Sequence, residues 1–155
     1  MILYYLDTSG WVKRYYHEAG TTWVTDLFAQ AVDRASSTLG LVELTASLAR
    51  KVKAGELDPS ALQSALDQAE RDWADFFRMH LLPEVVGRAT RVARDRAVRG
   101  ADAVHLASAI VLRQKLVAGE DVMFFVTSDR ELKAAAEREG FETIDPEAEE
   151  AATNP

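Results

Sequence analysis

Short apolar runs alternate with longer amphipathic segments along this chain. Residues 2–6 and 122–126 are apolar at every position, which is typical of strands that are buried on both faces of a sheet. Weaker strand-like runs occupy residues 35–38, 81–83 and 141–144. Strands of this kind, separated by helical segments, indicate a mostly parallel sheet.

The segments between these runs carry apolar residues at helical spacing. They predict helices over residues 9–16, 21–31, 39–53, 59–77, about fifteen residues from 84, 101–115 and 130–139. The predicted fold class is therefore α/β, a three-layer α/β/α sandwich with a mostly parallel central sheet. We expect one domain over residues 1–145 and an acidic tail over 146–155 that frays into solvent.

Composition narrows the function classes. The chain has 155 residues and no cysteine, which excludes disulfide scaffolds, thiolate metal sites and cysteine nucleophiles. No apolar run approaches the roughly 18–20 residues that a membrane span requires. The N-terminal segment has no basic region and reaches Asp7 too soon for a signal peptide. We therefore expect a soluble, cytoplasmic protein.

The formal net charge of −7 argues at first against a nucleic-acid partner. Its distribution removes that objection, because four acids lie in the last eleven residues and four more are candidates for one pocket. Setting these eight carboxylates aside changes the charge from −7 to +1. Arg88, Arg91 and Arg99 fall near one predicted helix face and are candidate RNA contacts; an ordinary solvated face is the alternative.

Four acidic residues stand where chemistry is expected. Asp7 and Asp129 follow the two strongest strands, and ligands of parallel sheets bind at the carboxyl ends of the strands. Asp102 lies in the first turn of the most apolar helix, and Glu43 lies within an apolar helical segment. Helix capping is the alternative for the three aspartates, and a solvated edge position is the alternative for Glu43.

Convergence of these four carboxylates would define a specific chemistry. Carboxylates a few ångströms apart repel one another and need a compensating charge. A hard divalent cation such as Mg²⁺ supplies it through oxygen ligands, and metal–carboxylate sites of this kind hydrolyse phosphodiesters. The chain has no glycine-rich phosphate loop, and its three histidines are scattered.

The sequence around each acid carries a family resemblance. The segments are residues 6–9 (LDTS), 42–44 (VEL), 99–109 (RGADAVHLASA) and 126–132 (VTSDREL), and successive acids are 36, 59 and 27 positions apart. In this order they resemble the signatures of the PIN domain and, more narrowly, of VapC-type ribonuclease toxins. The resemblance spans about residues 2 to 144.

This resemblance implies a PIN-like fold and an endoribonuclease that depends on Mg²⁺ or Mn²⁺, held inactive by a cognate antitoxin. Dimers are common in that family, so a homodimer is also expected. The residues it implies are Asp7, Glu43, Asp102 and Asp129 as catalytic groups, with Asp7, Asp102 and Asp129 as metal ligands and Ser9, Thr127 and Ser128 in support.

Three other functions stay open at this point. An aspartyl-phosphate phosphatase would also place an aspartate after the first strand, but it requires a second one two residues later, where this chain has Ser9. A non-catalytic module that binds RNA or protein is disfavoured by the complete set of four acids. A PIN nuclease of RNA processing, with no antitoxin, shares every motif above.

Overall fold

Five parallel strands form the centre of the molecule. The computed structural model describes residues 1–116 and 118–153. The strands are β1 (Ile2–Leu6), β2 (Asp33–Ser37), β3 (Phe76–Met79), β4 (Val122–Val126) and β5 (Glu142–Ile144). They are arranged in the order β3-β2-β1-β4-β5, and every pairing is parallel. The two strands with the most continuous apolar sequence, β1 and β4, thus lie side by side at the centre.

Helices cover both faces of this sheet. They are α1 (Thr8–Trp11), followed by a 3₁₀ turn (Val12–Arg14), α2 (Thr21–Ala29), α3 (Thr38–Lys53), α4 (Pro59–Trp73), α5 (Pro83–Arg96), α6 (Gly100–Leu116), α7 (Arg130–Arg138) and α8 (Pro146–Thr153). Within the described ranges, no helix is long and apolar enough to cross a membrane.

Alternation along the central strands divides the core into two halves. Leu3 and Tyr5 of β1 pack with α5, α6 and α7 on one face. Tyr4 and Leu6 of the same strand pack with residues of α1 to α4 on the other. Successive strand residues point to opposite faces, and both faces are covered, so β1 is apolar throughout. The three-layer α/β/α sandwich predicted from the sequence is confirmed.

One strand was assigned wrongly from the sequence. The helical spacing predicted a helix to residue 77 and a strand over 81–83, whereas α4 ends at Trp73 and the strand is β3. Phe76 enters the core, and β3 adds to the edge of β2 in register with residues 34–37. The pattern misled because short aromatic runs satisfy helical and strand periodicity equally well. Leu81 and Leu82 are exposed.

The predicted frayed tail is also wrong for residues 146–153, which form α8 and pack against α2. Lys13 is buried, with its side chain only 3% exposed, and its ammonium lies 2.7 Å from the carboxylate of Glu147. Glu150 accepts hydrogen bonds from the backbone N–H groups of Gly20 and Thr22 at the start of α2. Two of the three acids in this segment, Glu147 and Glu150, therefore have partners that are far away in the sequence.

The Lys13–Glu147 pair should contribute measurably to stability. Glu147→Gln leaves the buried ammonium without its closest anion, and we expect the free energy of unfolding to fall by about 1–2 kcal/mol. Urea denaturation measures the change. Glu149→Gln, an exposed acid on the same helix, is the matched control and should shift stability by less than about 0.5 kcal/mol. Equal effects of the two substitutions would contradict the assigned role of the pair.

Candidate active site

The site lies where the strand order changes direction. From β1 the chain moves outward to β2 and β3, whereas β4 and β5 lie on the opposite side of β1. Crevices at such a switch point are the usual ligand sites of parallel sheets. Leu6 pairs in register with Val126, so the residues that follow the two strands, Asp7 and Thr127, become neighbours.

Asp7 forms the buried floor of the site. Its side chain caps α1, with Oδ1 accepting from the backbone N–H of Gly10 at 2.9 Å. The Ser9 hydroxyl donates to the same carboxylate at 2.8 Å, and the Thr127 hydroxyl donates to Oδ2 at 2.9 Å. Burial raises the pKa of Asp7, although these donors and the charge of His105 act in the opposite direction. A cation in the cavity would favour the ionised form of Asp7 in the same way.

Asp129 is held at the end of β4 by its own helix. Its Oδ1 accepts from the backbone N–H of Leu132 and caps α7, which leaves Oδ2 for other partners. The backbone N–H of Asp129 donates to the Thr127 hydroxyl at 3.1 Å. Capping, considered above as an alternative to a site role, is thus compatible with the position of both Asp7 and Asp129 at the cavity.

The two predicted supporting residues on this loop play different parts. Thr127 is fully buried and joins Asp7 to the backbone of Asp129. The hydroxyl of Ser128 instead donates to Asp145 at 2.9 Å, and its backbone N–H donates to Ser9. Ser128 therefore positions the loop and makes no hydrogen bond to the Asp129 carboxylate.

Glu43 is paired with a buried histidine. Its Oε2 lies 2.6 Å from His105 Nε2 and accepts from the Thr8 hydroxyl at 2.8 Å. The other ring nitrogen of His105 is hydrogen-bonded to the hydroxyl of Tyr5, 3.1 Å away in the sheet. Burial alone would raise the pKa of Glu43, but the hydrogen bond and charge of His105, with Thr8 and Arg99, hold it below its usual value. Glu43 is thus an ionised group at neutral pH.

A glycine allows this pairing. A Cβ at Gly40 would lie 2.9 Å from the Ser36 hydroxyl and 3.2 Å from the His105 ring. Because no side chain intervenes, α3 approaches close enough for Glu43 to reach His105 of α6. His105 itself is buried, with 2% exposure. Its contact with Glu43 required the tertiary structure.

Asp102 and Asp129 share one cation from the chain itself. Arg99 donates from Nε to Asp102 Oδ2 at 3.0 Å and from Nη2 to Asp129 Oδ2 at 2.8 Å. Burial raises the pKa of Asp102, and the nearby negative charge of Asp129 raises it further, whereas the hydrogen bond and charge of Arg99 lower it. The guanidinium therefore compensates two carboxylates that repel each other.

All four predicted carboxylates line one cavity of about 380 Å³. Arg99 and His105 line it as well, together with three residues of α3 that the sequence analysis did not single out, Ala46, Ser47 and Arg50. Ser47 and Arg50 lie four and seven residues beyond Glu43, which is the spacing of one helix face. Arg88 and Arg91, by contrast, lie on α5 and are not among the residues that line the cavity.

The donor set suits a hard divalent cation. Carboxylate oxygens are its preferred ligands, and Mg²⁺ is usually held by one or two carboxylates with several waters. The guanidinium between Asp102 and Asp129 shows that this pair accepts a shared positive charge. Among the described residues, no three His, Asp or Glu side chains are placed to hold one ion together. The ligand set of Asp7, Asp102 and Asp129 that the resemblance implies stays a prediction, and the pair bridged by Arg99 is the part of it that the geometry supports most directly.

Comparisons with known proteins point to one family. The PIN domain family profile matches residues 4–138. The chain is 35% identical over 144 residues to Ribonuclease VapC45 of Mycobacterium tuberculosis (strain CDC 1551 / Oshkosh), covering 90% of this chain and 93% of that protein.

Two solved structures share the fold. PAE2754 from Pyrobaculum aerophilum is 19% identical with a TM-score of 0.66, covering 97% of this chain and 88% of that one. The second is a crystal structure of VapBC2 from Rickettsia felis bound to a DNA fragment from the VapBC2 promoter. It is 15% identical with a TM-score of 0.62, covering 92% of this chain and 98% of that one.

The Glu43–His105 pair predicts a pH-dependent contribution to stability. A carboxyl whose pKa is lowered on folding stabilises the fold above its unfolded value and loses that contribution as the pH falls through the folded value. In EDTA-treated protein, Glu43→Gln should therefore cost about 1 kcal/mol at pH 7, and its deficit should shrink as the pH falls below 4.5. Urea denaturation at several pH values measures this.

The matched control for that series is Glu70→Gln, an exposed acid on α4. It should leave stability within about 0.5 kcal/mol of the wild type at every pH. A Glu43→Gln deficit that stays constant down to pH 3 would show that Glu43 contributes by packing and not by its charge.

Proposed function

Because the chain belongs to the PIN domain family, we propose that it is a metal-dependent endoribonuclease that hydrolyses RNA phosphodiester bonds and serves as the toxin of a toxin–antitoxin pair. The observation that carries the nuclease activity is the convergence of Asp7, Glu43, Asp102 and Asp129 on one cavity at the switch point of the sheet. Ribonuclease VapC45, alike over most of both chains, supports it.

In this proposal Asp102 and Asp129 hold Mg²⁺ or Mn²⁺, and Asp7 adds negative charge from the floor of the cavity. When bound, a divalent cation activates water as a nucleophile and stabilises charge on the phosphate and on the departing oxygen. Because burial disfavours the charged form of Asp7, that carboxylate gains more from a cation than an exposed one would.

Glu43 orients the attacking water and takes its proton. Its Oε2 is occupied by Thr8 and His105, whereas Oε1 makes no hydrogen bond to the described residues and is free for solvent in the cavity. The lowered pKa keeps the carboxylate ionised. A base must lie within hydrogen-bond reach of the proton that it accepts, and a fixed Oε2 holds Oε1 in one place.

The partner of the chain in this proposal is a cognate antitoxin protein. This proposal is supported by the similarity of the chain to Ribonuclease VapC45 and by the fold that it shares with VapBC2 from Rickettsia felis. A homodimer stays a prediction. RNA processing without an antitoxin is the second candidate, since the cavity chemistry is the same in both cases.

The catalytic role of Asp7 can be tested by RNA cleavage. Purified protein should cleave members of a structured RNA panel with Mg²⁺ or Mn²⁺ and stop with EDTA. Asp7→Asn should reduce the rate on the order of 100-fold or more, because it removes one buried negative charge beside the cation. Asp95→Asn, an exposed acid paired with Arg94 outside the cavity, is the control and should cleave at the wild-type rate.

Two outcomes of the cleavage experiment would contradict this assignment. Wild-type cleavage by folded Asp7→Asn would remove Asp7 from the mechanism. No cleavage together with no metal binding would favour the non-catalytic binding module.

The antitoxin can be sought beside the gene. We expect a small neighbouring reading frame whose product copurifies with this chain and suppresses its RNA cleavage in proportion to the amount added. Titration of the purified partner into the cleavage reaction measures this. Full activity in a saturating amount of the neighbouring product would favour the RNA-processing nuclease.

A further inference from the structure

We propose that Arg99 is a displaceable counterion of the metal site: it bridges Asp102 and Asp129 when no metal is bound, and it moves to an RNA phosphate when a divalent cation takes its place. This inference rests on the metal site of the proposed function. It assigns Arg99 a role in both metal binding and RNA binding.

The contacts of Arg99 are electrostatic and few. Its side chain is 72% exposed, while those of Asp102 and Asp129 are 13% and 25% exposed. Its described hydrogen bonds are the two to these carboxylates, so the guanidinium is held by them and not by packing. Ion pairs made by exposed side chains are weak, so a divalent cation can replace this one readily.

The position of Arg99 in the fold places it where a divalent cation would bind. Arg99 lies immediately before α6, three residues from Asp102, and it lines the same cavity as the four acidic residues. Arginine stays protonated at any physiological pH, so it cannot leave the carboxylates by losing its charge. A divalent cation held by Asp102 and Asp129 would therefore have to displace it physically.

The displaced guanidinium stays beside the cavity on a flexible side chain. RNA brings phosphates to this cavity, and arginine is well suited to bind them. Metal binding thus exchanges one anionic partner of Arg99 for another. It follows that loss of Arg99 should have opposite effects on the two ligands: tighter metal binding and weaker RNA binding.

The test uses Arg99→Gln beside a matched control, Arg94→Gln. Arg94 is equally exposed, at 73%, and pairs with Asp95 away from the cavity, so both variants lose one positive charge. Mn²⁺ affinity is measured by isothermal titration calorimetry in the absence of RNA. We expect Arg99→Gln to bind Mn²⁺ about 3- to 10-fold more tightly, the range that two weak ion pairs supply, and Arg94→Gln to bind as the wild type does.

A second pair of readouts separates displacement from a general structural role. Without metal, Arg99→Gln should melt about 2–4 °C lower, because Asp102 and Asp129 lose their shared cation, and saturating Mn²⁺ should restore the melting temperature. In cleavage assays the same variant should raise KM for RNA about 3- to 10-fold and reduce the salt dependence of RNA binding by about one phosphate contact.

The outcomes distinguish this inference from the proposed function. If the wild type binds Mn²⁺ and Arg99→Gln binds it no more tightly than Arg94→Gln does, Arg99 does not compete with the metal and the inference fails alone. If the wild type binds no divalent cation, the metal site and the counterion role fail together. Tighter Mn²⁺ binding with unchanged KM would confine Arg99 to the counterion role and overturn its transfer to RNA.

Discussion

The parallel, in-register pairing of β1 with β4 is the constraint on which the site depends. It aligns Leu6 with Val126, so Asp7 and the Thr127–Asp129 loop leave the sheet side by side. Asp7 is then closed in by Ser9 and Thr127, and Asp129 begins α7. A shift of one residue in this register would turn the side chains of a whole strand to the other face and would separate the two acids.

Charge compensation explains how the fold tolerates four carboxylates in one cavity. The four acids are compensated in three ways: Asp7 by neutral donors, Glu43 by His105 and Thr8, and Asp102 and Asp129 together by one guanidinium. Burial nevertheless outweighs this compensation at Asp7 and Asp102 and raises the pKa of both carboxyls. Both carboxyls are thus held in surroundings that favour a further positive charge.

The helices contribute through close approach as well as through their side chains. Gly40 lets α3 reach α6, and this contact joins Glu43 to His105 and, beyond it, to Tyr5 within the sheet. The continuous hydrogen-bonded chain from the sheet to the cavity fixes Glu43 at one oxygen and leaves the other for solvent. A nuclease that must place a single water benefits from such a fixed carboxylate.

The α/β class, the two central strands and the positions of Asp7 and Asp129 at their carboxyl ends could all be predicted from the sequence. They could be predicted because continuous apolar runs and strand-end acids are local features of the chain. The sequence pattern placed β3 wrongly and missed α8, since Phe76 and Glu147 are defined by partners far away in the sequence, the edge of β2 and the buried ammonium of Lys13. Only the tertiary structure brought Arg99 between Asp102 and Asp129 and His105 against Glu43, because ion pairs and hydrogen bonds depend on distances that no spacing along the chain specifies.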